Sequence, residues 1–310
     1  MSEPQHASSG EPQLLKGAYA ALEDLLALRH WRVNRGRKPP RSRAQIAGQR
    51  LSKLRGRGVD FAEVRLYQPG DDIRTIDWRV TARKNKPHTK VFREERERPT
   101  LIVVDQTQTM FFGSSLRLKS VAAAESASIA AWQALAHNDR VGGIVIGNQS
   151  APSHKPLRSV KAVARLLADV ATQNQALSRH TRTPDEDRLR EALFGLRRLV
   201  RTNYRVLMVS DFSTHPHLWY DALREVSRHN EVTMLRIYDP LEQDLPPADR
   251  YTVTDGYSRW QFHSGDADFR RTYSRRFVTR DDELRALCNG HAARFISRST
   301  LESPDTPVWF

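Results

Sequence analysis

The chain has 310 residues, of which 39% are hydrophobic and 28% charged, and a net charge of +14. That length buries a full core with room for one large domain and an appendage. No apolar run approaches the ~18 residues that span a bilayer, the opening residues are polar, and the lone Cys288 excludes an internal disulfide or a Cys-based zinc site.

A cytoplasmic protein without an integral membrane segment is therefore expected. Residues 1–13 read as disordered. Apolar residues at helical spacing predict an amphipathic helix over 14–33, broken by Gly36 and the Pro39-Pro40 pair. The N-terminal region 14–58 holds most of the excess charge: residues 29–58 carry 11 Lys and Arg and no acid. Such a segment can meet nucleic acid, anionic lipid or an acidic protein face. No helix-turn-helix, zinc finger or aromatic RNA motif accompanies it.

Short strands and turns then predict a small β-rich element over 59–98. From Leu101 a regular alternation sets in. Apolar runs at 101–105, 141–147, 204–211, 231–239 and 293–300 read as strands, and 251–262 as extended chain. Helical patterns fall at 116–138, 159–173, 184–202, 218–230 and 269–290. Strands alternating with helices imply a three-layer α/β domain over 99–304, its central sheet mostly parallel and covered on both faces.

In such sheets ligands bind outside the carboxyl ends of the strands. Two predicted strands end there in an acid, LIVVD at Asp105 and YRVLMVSD at Asp211. The first runs on as D-Q-T-Q-T, so Asp105, Thr107 and Thr109 stand at alternating positions and point the same way in extended chain. One carboxylate and two hydroxyls make an oxygen-only set suited to Mg²⁺ or Mn²⁺. The same residues also fit a reading in which they only cap loops. His215 and His217, after Asp211, read as helix entry and solvent-facing residues rather than zinc ligands.

This arrangement resembles a von Willebrand factor A domain, a Rossmann-like fold whose metal-ion-dependent adhesion site has the form Asp-x-Ser-x-Ser. Asp105, Thr107 and Thr109 match that element with threonines for serines, and Asp211 matches the later acid. The resemblance implies a further threonine, for which Thr183 is the better candidate and Thr181 the other. Upstream, residues 67–83 read YQPGDDIRTIDWRVTAR. Tyr67, Pro69, Gly70, Asp71, Asp72, Arg74, Asp77, Trp78 and Arg83 match the signature of a bacterial family, domain of unknown function fifty-eight. That family implies a MoxR-type AAA+ ATPase and other von Willebrand A proteins as partners, in protein maturation or complex assembly. Many relatives have membrane helices before the signature, where this chain has its basic segment.

Three acids and three arginines in the signature sum to zero, unlike a bare metal site. The stretch reads as a polar clamp. Asp71 or Asp72 would cap a short helix, Ile73, Ile76 and Val80 would share its apolar face, and Asp77 could pair with Arg74. No phosphate-binding glycine loop, G-x-S-x-G or Cys-His pairing of known spacing is present. The leading expectation is a non-enzymatic interaction module, with Mg dependence left open. The alternative is a nucleic-acid-associated protein or metal-dependent nuclease using the basic arm.

Overall fold

The computed structural model describes residues 14–31, 59–94, 98–178, 185–254, 259–304 and 308–309. The chain forms two units, residues 39–97 and the remainder. Most of the basic segment, from 32 to 58, lies outside the described residues.

The helix expected over 14–33 is shorter: α1 spans Leu22–Ala27 and tightens into a 3₁₀ turn over Leu28–His30. The smaller unit is built on an antiparallel hairpin, β1 (Val59–Leu66) and β2 (His88–Glu94), with a register shift between Phe61 and Glu63. Between the strands lie a 3₁₀ turn, Ile73–Thr75, and α2, Trp78–Lys84. Each has its own aspartate cap. Asp72 accepts from the Arg74 N–H, and Asp77 from the N–H groups of Arg79 and Val80. Ile73, Ile76 and Val80 therefore do not share one helix, and Ile73 and Trp78 stand exposed.

The ion pairing also differs from the expectation. Asp77 meets Lys90 at 3.5 Å, not Arg74, and Asp71 meets Arg65 at 2.7 Å. The Arg65 hydrogen bond holds the Asp71 carboxyl below its ordinary range. Asp72 and Asp77 thus serve as caps, because a carboxylate next to orphan helix N–H groups satisfies them at once, and Asp71 and Asp77 tie the connecting segment to β1 through Arg65 and to β2 through Lys90.

In the larger unit the sheet order is β10-β7-β6-β3-β4-β5. The strands are β3 (Thr100–Gln106), β4 (Val141–Gly147), β5 (Ser153–Leu157), β6 (Arg205–Ser210), β7 (Glu231–Tyr238) and β10 (Arg294–Ser299). All pairs are parallel except β4 with β5. Strands β3 and β4 are buried end to end and β6 from Val206 onward, which is why they read as apolar runs. A separate hairpin, β8 (Arg250–Thr254) with β9 (Arg259–His263), fills the segment expected to be extended.

Two layers of helix cover this sheet. On one face α3 (Lys119–Ala136) and α4 (Val160–Gln175) pack with α1; on the other lie α5 (Glu186–Leu199), α6 (Pro216–Val226) and α8 (Ala267–Gly290). A short α7 spans Pro240–Gln243. Helix α3 is buried nearly all round because a second layer lies over its outer side. There Ser128 Oγ and Trp132 Nε1 donate to the Leu25 carbonyl, and Trp309 Nε1 donates to that of Ala130. Alanine suits a helix packed on both sides. No described helix is long and apolar enough to cross a membrane. Cys288 is buried in the second face, which pushes its thiol up to about 11.

The glycine pair of β4 has a steric cause. A Cβ on Gly142 would lie 2.4 Å from the His154 carbonyl oxygen and 2.6 Å from the Pro156 nitrogen, main-chain atoms of β5. Gly142→Ala is expected to push β5 off and to cost about 1–3 kcal/mol, the scale of overpacking, in urea unfolding.

Candidate functional site

The strand order reverses at β3. From it the chain goes to β4 on one side and later to β6 on the other, which puts the topological switch point between β3 and β6. Asp105 is the penultimate residue of β3 and Asp211 follows β6. The fold thus brings both acids to one edge, and both are buried.

Each oxygen of these acids is already engaged. Asp105 Oδ1 accepts from the Thr107 N–H at 2.9 Å, and Oδ2 from Ser210 Oγ at 2.5 Å. Asp211 Oδ1 accepts from the N–H and Oγ of Ser213, both at 2.8 Å. Its Oδ2 accepts from Lys119 Nζ at 2.8 Å, and the same ammonium reaches Glu242 Oε1 at 2.7 Å. Thr107 Oγ1 and Thr109 Oγ1 lie 3.4 Å apart, and Thr214 Oγ1 donates to Thr109 at 3.2 Å.

The environments push the two acids apart. Burial, and then the charge of Asp211, raise Asp105 to about 6. Burial would raise Asp211 too, but the Lys119 ammonium overrides it and holds that carboxyl below its ordinary value. Burial likewise works against the charge on Lys119, and Asp211 and Glu242 more than restore it.

Mg²⁺ demands near-octahedral oxygen ligation with several waters. Here one carboxylate is already paired with a lysine, and the other has both oxygens hydrogen-bonded. The residues expected to hold Mg²⁺ or Mn²⁺ do not fit that ion as they stand. Thr183 and Thr181 lie outside the described residues. His215 and His217 turn away from Asp211: His217 Nε2 is 3.1 Å from Glu186 Oε1 and His215 Nδ1 is 3.8 Å from Glu186 Oε2. Among the described residues no cluster of His, Cys, Asp and Glu is arranged to hold a metal.

Lys119, Ser210, Ser213, Thr214 and Glu242 were not singled out from the sequence. Only Lys119 left a signal, as a charged residue opening an Ala-rich helix.

Four loops are locked together at this edge. The Gln108 N–H donates to Asn148 Oδ1 at 3.1 Å, tying the loop after β3 to the turn after β4. The Ser114 N–H donates to Asp239 Oδ2 at 2.9 Å, tying it to the end of β7. The loop after β6 is strained: Phe212 and His215 have φ of 57° and 43°, costly values for side chains of that size. Phe212 is held there by an edge-on contact with Trp219, ring centroids 5.2 Å apart.

Comparison with known proteins gives a family match over residues 63–283, described as protein of unknown function DUF58. Uncharacterized proteins of Mycobacterium tuberculosis and Mycobacterium bovis are 32% identical over 216 residues, 69% of this chain. The chain spans 65% of the length of those relatives. Among solved structures, BatB of Bacteroides thetaiotaomicron is 12% identical with a TM-score of 0.40, covering 67% of this chain and 93% of that one. An aerotolerance-related membrane protein of Bacteroides fragilis is also 12% identical, with a TM-score of 0.39, covering 67% of this chain and 94% of its own.

Proposed function

The chain belongs to the DUF58 family, and we propose that it is a non-enzymatic protein-interaction module of von Willebrand A type. In this reading it acts in the cytoplasm with a MoxR-type AAA+ ATPase, in protein maturation or complex assembly. The contact face is the carboxyl edge of the sheet.

The observation that carries the reading is the locked edge itself. Its carboxylates are satisfied internally, and strain is stored in the loop after β6, as at sites where geometry is held for a purpose. Outward from that network Phe112 stands 42% exposed, with Ser213 and His217 also exposed. A preformed face loses little freedom on binding, and aromatic residues are enriched in interface cores. The basic segment that prompted a nucleic-acid reading lies largely outside the described residues, and nothing at this edge favours that reading.

Co-expression of the full chain with a MoxR-type ATPase from the same genome tests the proposal. The two are expected to co-purify. Phe112→Asp should abolish this in a chain that still folds, as read by circular dichroism. Failure to co-purify, or capture unaffected by Phe112→Asp, would remove this edge as the partner face.

A further inference from the structure

Lysine is rarely buried, and a cation in the first turn of a helix opposes the positive end of the helix dipole. Lys119 does both, as the first residue of α3 and only 2% exposed. What offsets those costs is a pair of carboxylates, Asp211 at 2.8 Å and Glu242 at 2.7 Å.

Both acceptors are fixed from behind. Asp211 is pinned by Ser213. Glu242 Oε2 accepts from the Asp239 N–H at 2.8 Å, while Asp239 Oδ1 accepts from the Leu241 N–H at 3.0 Å, closing the cap of α7. Asp239 Oδ2 in turn accepts from the Ser114 N–H at 2.9 Å and Thr300 Oγ1 at 3.0 Å. The face of Phe112 completes the enclosure, its centroid 5.8 Å from the ammonium. A lysine meeting an acid by chance at the surface has no such built surroundings.

We propose that the Lys119 ammonium is the resident cation of this edge. It stands beside Asp211 in place of a divalent metal, and the site keeps its shape without Mg²⁺ or Mn²⁺. A divalent ion placed there would face a fixed ammonium and carboxylate oxygens that already have partners. The inference concerns the ion alone, so it stands or falls separately from the ATPase partnership.

Titration of the full chain with Mn²⁺, read by the loss of the free-ion paramagnetic resonance signal, tests it. The parent is expected to leave Mn²⁺ free into the millimolar range. Lys119→Met keeps the side-chain length but bares Asp211 and Glu242 beside Asp105. It should take up one Mn²⁺ per chain and melt higher when the ion is added, whereas Lys119→Arg should behave as the parent. Stoichiometric uptake by the parent that Asp105→Asn abolishes would overturn the proposal. So would a folded Lys119→Met that takes up none. The parent titration and its Asp105→Asn control do not depend on Lys119→Met, so they decide even if Lys119→Met does not fold.

Discussion

Arg117→Met is expected to lower the unfolding free energy by about 3–5 kcal/mol, the scale for removing one partner of a buried ion pair. Arg117 and Glu125 are both fully buried, with Nη1 and Oε2 2.5 Å apart. The guanidinium also ties three segments to one another. Nε donates to the Thr300 carbonyl at 2.8 Å, Nη2 to that of Glu302 at 2.9 Å, and Nη1 lies 3.5 Å from that of Leu15. Glu125 Oε1 meanwhile accepts from the Leu15 N–H at 2.8 Å. Burial already raises the Glu125 carboxyl against the pull of Arg117. Without Arg117, a buried carboxylate must stay unpaired or take up a proton. The pair itself need not be worth that much. Arg117→Met with Glu125→Leu removes both charges and should recover much of the loss. Urea unfolding of the single and double variants separates the two effects. A single variant as stable as the parent would contradict the account.

Asp105 gives the second large effect, a pH dependence of opposite sign to that of most carboxylates. In the folded chain it holds its proton up to about 6, and in the unfolded chain only to its ordinary 3.8. Between those values the folded state binds more protons, so stability falls as pH rises. The contribution is complete below about pH 4 and lost by pH 6 to 7, and amounts to about 3 kcal/mol. The side chain introduced by Asp105→Asn cannot titrate. Subtracting the stability profile of that variant from that of the parent should therefore leave a step of that size and direction. A flat difference would mean that Asp105 ionises normally and that the network around it is not as described.

Much of the sheet was legible because a parallel strand covered on both faces must be apolar throughout, and such runs are hard to mistake. Asp105 and Asp211 were legible for the same reason, as polar residues that end those runs at the carboxyl edge of the sheet. What lay between them was not. Lys119 meets Asp211 across 92 positions and Glu242 across 123, and no local spacing announces such contacts. A lysine at the head of an Ala-rich helix reads as surface until its contacts with Asp211, Glu242 and Phe112 are known. In the signature the same limit worked the other way. The spacing of Arg74 and Asp77 suggested a local pair, but the free N–H groups of α2 competed for that carboxylate and won. Signature carboxylates and strand-end carboxylates alike serve local geometry first.

On the proposed reading, this edge binds a protein and does so without metal. Calorimetric titration of the purified full chain with a purified MoxR-type ATPase, in the presence of a chelator, is the test of both. Binding that persists in chelator and disappears in Phe112→Asp is the predicted result. Binding that requires added Mg²⁺, or that survives Phe112→Asp unchanged, would contradict it.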